Sequence, residues 1–167
     1  EKNMSEDALA IFNDIANKVS GREDPELYAT VKNGQGVSYY NIALLRDKEE
    51  NLLKAIDAFR EALETRTVER YPDDHATTQN NLGNAYRTLS ETKDNEKYLN
   101  KAFEAFAKAL EVYTRERYPE GYAATQNNLG AAYGTLSEFR DKEENLAKAV
   151  QAFEEALTIR TMAKHPV

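Results

Sequence analysis

The chain contains no cysteine. Disulfides, thiolate metal sites and cysteine nucleophiles are excluded together, and the redox setting leans towards the cytoplasm. Glycine and proline are scarce, at 7 and 4 in 167 residues. So few turn-formers favour long helices with short connections over many short strands. No apolar run approaches the roughly 18 residues of a membrane span, and the first residues do not read as a basic-then-apolar signal sequence. Basic charge is not in excess, since 22 Lys and Arg face 29 Asp and Glu for a net charge of −7. Phosphate affinity rests on clustered Lys and Arg, so this balance argues against a general nucleic-acid binder.

Histidine is nearly absent as well, with only His75 and His165. One usable histidine without a spaced partner assembles neither a metal site nor a serine–histidine–acid set. The acidic runs at 47–50 and 141–144 lack the alternating oxygen spacing of a calcium loop. Gly34 and Gly36 sit inside a helical pattern with no preceding strand, which excludes a dinucleotide loop. The expectation is therefore a protein without catalytic residues, metal or cofactor.

What is present is repetition. Ala76-Thr-Thr-Gln-Asn-Asn-Leu-Gly-Asn-Ala-Tyr-Arg-Thr-Leu-Ser-Glu91 returns 47 residues later as Ala123-Ala-Thr-Gln-Asn-Asn-Leu-Gly-Ala-Ala-Tyr-Gly-Thr-Leu-Ser-Glu138. Laid over 118–164, residues 71–117 are identical at 25 of 47 positions without a gap. Residues 24–70 fall into the same register more loosely, and Ala8, Phe12 and Ile15 continue it backwards. The expected organisation is the second helix of a truncated repeat at 1–23, a degenerate repeat at 24–70, a second at 71–117, and a third from 118 that runs to 167 with the start of another.

Each repeat holds two helical patterns. Leu82, Tyr86 and Leu89 recur at spacings of four and three, one stripe of a first helix. Leu99, Ala102, Phe103, Phe106, Ala109 and Leu110 mark the wider apolar face of a second. Phe106, Tyr113, Phe153 and their equivalents read as core, with Tyr113 half exposed because Arg66 and Arg160 hold its slot. Asp47, Asp94 and Asp141 are placed to cap the second helices, with Glu50 and Glu144 completing capping boxes. Tyr71-Pro72 and Tyr118-Pro119 read as the end of the second helix, and the acidic Glu26, Asp73, Asp74 and Glu120 suit the positive start of the next. An amphipathic hairpin of this size cannot bury its apolar face alone, so stacking into a solenoid is expected.

Leu82-Gly83-x-x-Tyr86 followed by Ala102-x-x-x-Phe106 resembles the tetratricopeptide repeat in its packing positions. Thirteen extra residues, seven between Tyr86 and Ala102 and six between Ala109 and Leu129, separate the period of 47 from the usual 34. Lys32, Gln79 and Gln126 hold the usual tryptophan position, and Gln35 replaces a leucine in the first repeat. The form is similar to the long repeats of kinesin light chains and to arrays in large prokaryotic signalling proteins. The resemblance implies an all-α, right-handed solenoid of stacked antiparallel helix pairs, with about seven helices. It also implies a non-catalytic interaction module whose first helices line a concave groove for a peptide or protein segment.

Carried over onto this sequence, the groove positions are Thr77, Asn80, Asn81, Asn84, Arg87 and Thr88, then Asn127, Asn128 and Thr135, with Asn33 and Tyr40 in the first repeat. Mid-helix asparagine is a poor helix former, so each adjacent pair costs about 1 kcal/mol relative to alanine. A carboxamide carries donors and an acceptor and suits a peptide backbone. Arg87 suits a partner carboxylate. The alternative is that one asparagine of each pair bonds the neighbouring helix and fixes the repeat angle. A competing reading of the whole chain is a structural spacer that begins mid-repeat, stops at Pro166, lacks polar capping helices and self-associates end to end.

Overall fold

The computed structural model describes residues 4–19, 21, 23–92 and 95–164, and all regular structure among them is helical. Seven helices follow one another: α1 (Met4–Lys18), α2 (Pro25–Ala43), α3 (Lys48–Thr65), α4 (Pro72–Ser90), α5 (Asn95–Val112), α6 (Pro119–Ser137) and α7 (Lys142–Lys164). Asp94, His165 and Pro166 lie outside the described residues.

The helix starts follow from local chemistry. Pro25, Pro72 and Pro119 each occupy the first helical turn, where a missing N–H costs nothing. The prolines therefore open first helices and do not close second ones. α3 has already stopped at Thr65 and α5 at Val112. Tyr71 and Tyr118 supply the extended residue ahead of each proline, at φ −139° and −137°. Glu26, Asp73, Asp74 and Glu120 lie in first turns, against the positive end of the dipole.

The capping boxes do not form. Asp47 sits at the N-cap of α3 but in the left-handed region (φ 46°), without a side-chain capping bond. Asp141 adopts the same conformation at φ 44°, one that aspartate tolerates better than most residues. Satisfaction runs the other way: Asn51 Nδ2 donates to the carbonyls of Arg46 and Asp47, and Asn145 Nδ2 to that of Arg140. Glu50 and Glu144 turn instead to Lys54 and Lys148, each at 2.6 Å.

Helices pack tightly in the pairs α2/α3, α4/α5 and α6/α7. A glycine on each first helix meets a phenylalanine on the second: Gly36 with Phe59, Gly83 with Phe106, Gly130 with Phe153. Phe59 and Phe106 are fully buried, and each stabilises the fold by roughly 1.5–3 kcal/mol. Phe153 departs from the expected core: it rests on Gly130 but stays 41% exposed, because α7 packs on α6 alone. A continuous apolar core runs from Ala43 and Leu52 through Leu82 and Phe106 to Leu136.

Between pairs, α3 packs on α4 and α5 on α6. The first helices also approach one another, α2 with α4 and α4 with α6, while among the described residues the backbones of α1, α3, α5 and α7 stay apart from each other. The stack is therefore an α-solenoid that closes along its first helices and splays along its second ones. This curvature decides which surface is shut and which is open.

Candidate functional site

On α4, Asn80, Asn81, Asn84, Arg87 and Thr88 recur at helical spacing along the inner side. The structure sorts the eleven expected positions into three groups. Most of them stitch helices together. Asn128 Nδ2 donates to Asn80 Oδ1 at 3.1 Å, joining α6 to α4. The Tyr40 and Thr88 hydroxyls meet at 3.3 Å, joining α2 to α4. Asn33 accepts from Thr78 Oγ1 at 3.2 Å across the same pair of helices. Thr77 Oγ1 lies 2.6 Å from the Tyr113 hydroxyl, tying α4 to the end of α5.

The second group is spent locally. Thr135 donates back to the Ala131 carbonyl of its own helix. Arg87 donates from Nη1 to Glu91 at 2.9 Å, one turn along α4. Its Nε is buried and has no partner among the described residues. The third group is left over: Asn81, Asn84 and Asn127 are half-buried and make no hydrogen bond among the described residues.

Tyr113 is buried, not half exposed, and its hydroxyl also donates to Asp73. Burial pushes its phenol up to about 12, further than its bond from Thr77 lowers it. Arg66, 47 positions earlier, does the same work with different chemistry. Its buried guanidinium donates to Thr78 and Thr30 and lies 3.3 Å from Asp74, tying α3 to α2 and α4. The overlay placed Arg66 and Tyr113 in one slot but did not reveal that both reach the next first helix.

Sequence reasoning also missed the outer side, where the splay leaves three open grooves. They lie between α1 and α3, between α3 and α5, and between α5 and α7, with volumes of about 330, 770 and 420 Å³. The first helix between each pair forms the floor, and one tyrosine of each floor (Tyr39, Tyr86, Tyr133) lies under one lysine (Lys54, Lys101, Lys148) at 5.8, 5.4 and 5.8 Å. A signal was available: tyrosine and lysine keep the same spacing of 15 residues at all three sites. None of the eleven expected positions lines a groove.

Stacked helical hairpins, a glycine–phenylalanine contact in each and inner helices in mutual contact agree with the comparison to known families. Residues 34–108 match the tetratricopeptide repeat, and residues 127–161 match it again. The chain belongs to the tetratricopeptide repeat family. No curated protein and no solved structure matches it. Tetratricopeptide repeats are generally protein–protein interaction modules and typically non-catalytic. Among the described residues no cluster of metal-ligating side chains is found, and no helix is long and apolar enough to cross a membrane.

Proposed function

We propose that this tetratricopeptide array is a non-catalytic, cytoplasmic module that captures an extended segment of a partner protein along its inner face. The observation that carries this reading is the trio Asn81, Asn84 and Asn127, half-buried and without hydrogen bonds on two helices in contact. Each is a poor helix former and each keeps its donors and acceptor free. An extended backbone supplies the complementary groups whatever its sequence. Arg87, held by Glu91, supplies charge beside them. Asn80 and Asn128 set the spacing of the two helices and are not ligand contacts in this reading.

The test is a random peptide library displayed on phage and selected on the intact array. Replacing Asn81, Asn84 and Asn127 with alanine is expected to keep or raise helicity, at roughly half a kcal/mol per position, while the selected peptides are lost. Peptides that bind the triple variant as tightly as the parent would sink the idea.

A second reading, self-association, is favoured by α7. Leu146, Val150, Phe153 and Leu157 are 43, 54, 41 and 64% exposed on one stripe. The equivalent Phe103 of α5 is covered by Tyr133 of α6 at 4.8 Å. A second copy pairing its own α7 antiparallel would cover the stripe about a two-fold axis. Head-to-tail stacking would instead set α7 against α1, two second-type helices, a contact that occurs nowhere among the described residues. Light scattering distinguishes the outcomes: a dimer abolished by Val150→Glu supports this reading, and a monomer at all concentrations rejects it.

A further inference from the structure

The largest of the three outer grooves lies between α3 and α5. Its volume of about 770 Å³ is within the range of sites that hold a ligand or peptide side chains. The floor is Gln79, Leu82 and Tyr86 of α4, exposed by only 6, 6 and 9%. Two of those three side chains are polar and poorly partnered. The Tyr86 ring is buried, but its hydroxyl makes no hydrogen bond among the described residues and is not one of their fully buried unpartnered atoms, so it opens onto the groove. Among the described residues Gln79 has only a marginal 3.5 Å contact with His75 Nε2. Burial holds the Tyr86 phenol above its usual range, and at neutral pH its protonated hydroxyl can donate to a group in the groove. Gln79 and Tyr86 are two turns apart, roughly 10 Å along the helix, a span that about three residues of extended chain cover.

The walls carry charge in alternation. α3 presents Asp57, Arg60, Glu61 and Glu64, and α5 presents Lys101, Glu104 and Lys108; Glu61 is already paired with Lys32, which leaves three acidic and three basic groups. None of the six forms an ion pair among the described residues. The neighbouring grooves differ here. Lys54 and Lys148, which stand 47 residues either side of Lys101, are each bound to a glutamate one turn earlier. The corresponding position before Lys101 is Lys97, so that pairing is lost. Lys101 is left over the rings of Tyr86 and Tyr98, at 5.4 and 5.8 Å. The middle groove thus combines the largest volume of the three with a lysine that has no ion pair among the described residues.

We propose that this outer groove is a second binding site, separate from the inner face, for an extended peptide segment that carries both signs of charge around one apolar residue. The apolar side chain sits on Leu82, Tyr86 donates to a backbone carbonyl, and Gln79 pairs with a backbone amide. A segment of one sign would meet as many like charges as opposite ones on these walls, and like-charge contacts are costly. A segment of alternating sign pairs with both walls.

Fluorescence anisotropy with three short labelled peptides tests this. Each has a central leucine, and the flanks alternate Glu and Lys, are all Glu, or are all Lys. The alternating peptide is expected to bind the intact array at least about tenfold more tightly than either of the others. Tyr86→Phe, which keeps the ring and removes the hydroxyl, is expected to weaken it about three- to tenfold. The double variant Lys101→Glu/Lys108→Glu is expected to weaken it further and to improve binding of the all-Lys peptide. Alanine at Asn81, Asn84 and Asn127 leaves all three affinities unchanged, which separates this site from the inner face. Equal affinities for the three peptides, or indifference to both groove variants, would overturn the proposal.

Discussion

Asn128 donates to Asn80 at 3.1 Å, from α6 to α4. One member of each asparagine pair is consumed by this bond, Asn80 in the first and Asn128 in the second. Their neighbours Asn81 and Asn127 are left without partners among the described residues. The helix-to-helix explanation of the repeated Asn-Asn step therefore holds for one residue of each pair, and the other is the one assigned to the partner in the function proposed above. A neutral side-chain bond contributes about 0.5–1.5 kcal/mol net. Asn80→Ala, Asn128→Ala and the double variant, unfolded in urea, are expected to show coupling of about that size. Strictly additive losses would mean that the bond contributes nothing.

Two glycines predict opposite effects of the same substitution. A Cβ on Gly83 would lie 2.4 Å from Phe106 Cε1, a ring that is fully buried and cannot retreat. Gly83→Ala is expected to destabilise by about 1–3 kcal/mol through overpacking. Gly134, on α6, has no atom within 4 Å of such a Cβ. There Gly134→Ala is expected to stabilise by roughly 0.5–1 kcal/mol, because the unfolded chain loses freedom. Thermal melts of both variants check the contrast.

The Tyr113 phenol, pushed up from 10.0 to about 12 by burial, gives a pH dependence of known sign. The folded state holds this proton more tightly than the unfolded state does. Its contribution is therefore complete below pH 10 and is lost as pH rises from 10 towards 12. The loss is on the order of 2 kcal/mol at the upper end. Urea midpoints at pH 9, 10 and 11 should fall less steeply for Tyr113→Phe than for the parent. Parallel curves for the two proteins would show that Tyr113 does not titrate with unfolding.

Much of the architecture was legible because it is written locally. Leu82, Gly83 and Tyr86 at helical spacing, and Phe106 opposite, identify packing faces from i, i+3 and i+4 periodicity alone. Asp47 misled because the capping-box pattern is equally local, yet the left-handed turn at Asp47 hands the job to Asn51. Tyr113 misled because Arg66 and Arg160 in its slot look like exposed charge, whereas Arg66 is itself buried against Thr78.

The sequence by itself determined that this chain is a repeated helical hairpin, which residues of each hairpin pack, and which polar residues lie on the first-helix face. Only the tertiary structure decided how those polar residues are used. Asn80 and Asn128 are 48 residues apart, so whether they meet depends on how closely successive first helices approach. That approach is set by the curvature of the whole stack. The same curvature holds α3 and α5 apart over Gln79, Leu82 and Tyr86. A groove made by the splay of two second helices marks the sequence only through a tyrosine and a lysine 15 residues apart, and nothing local in that spacing says that the two side chains line an opening.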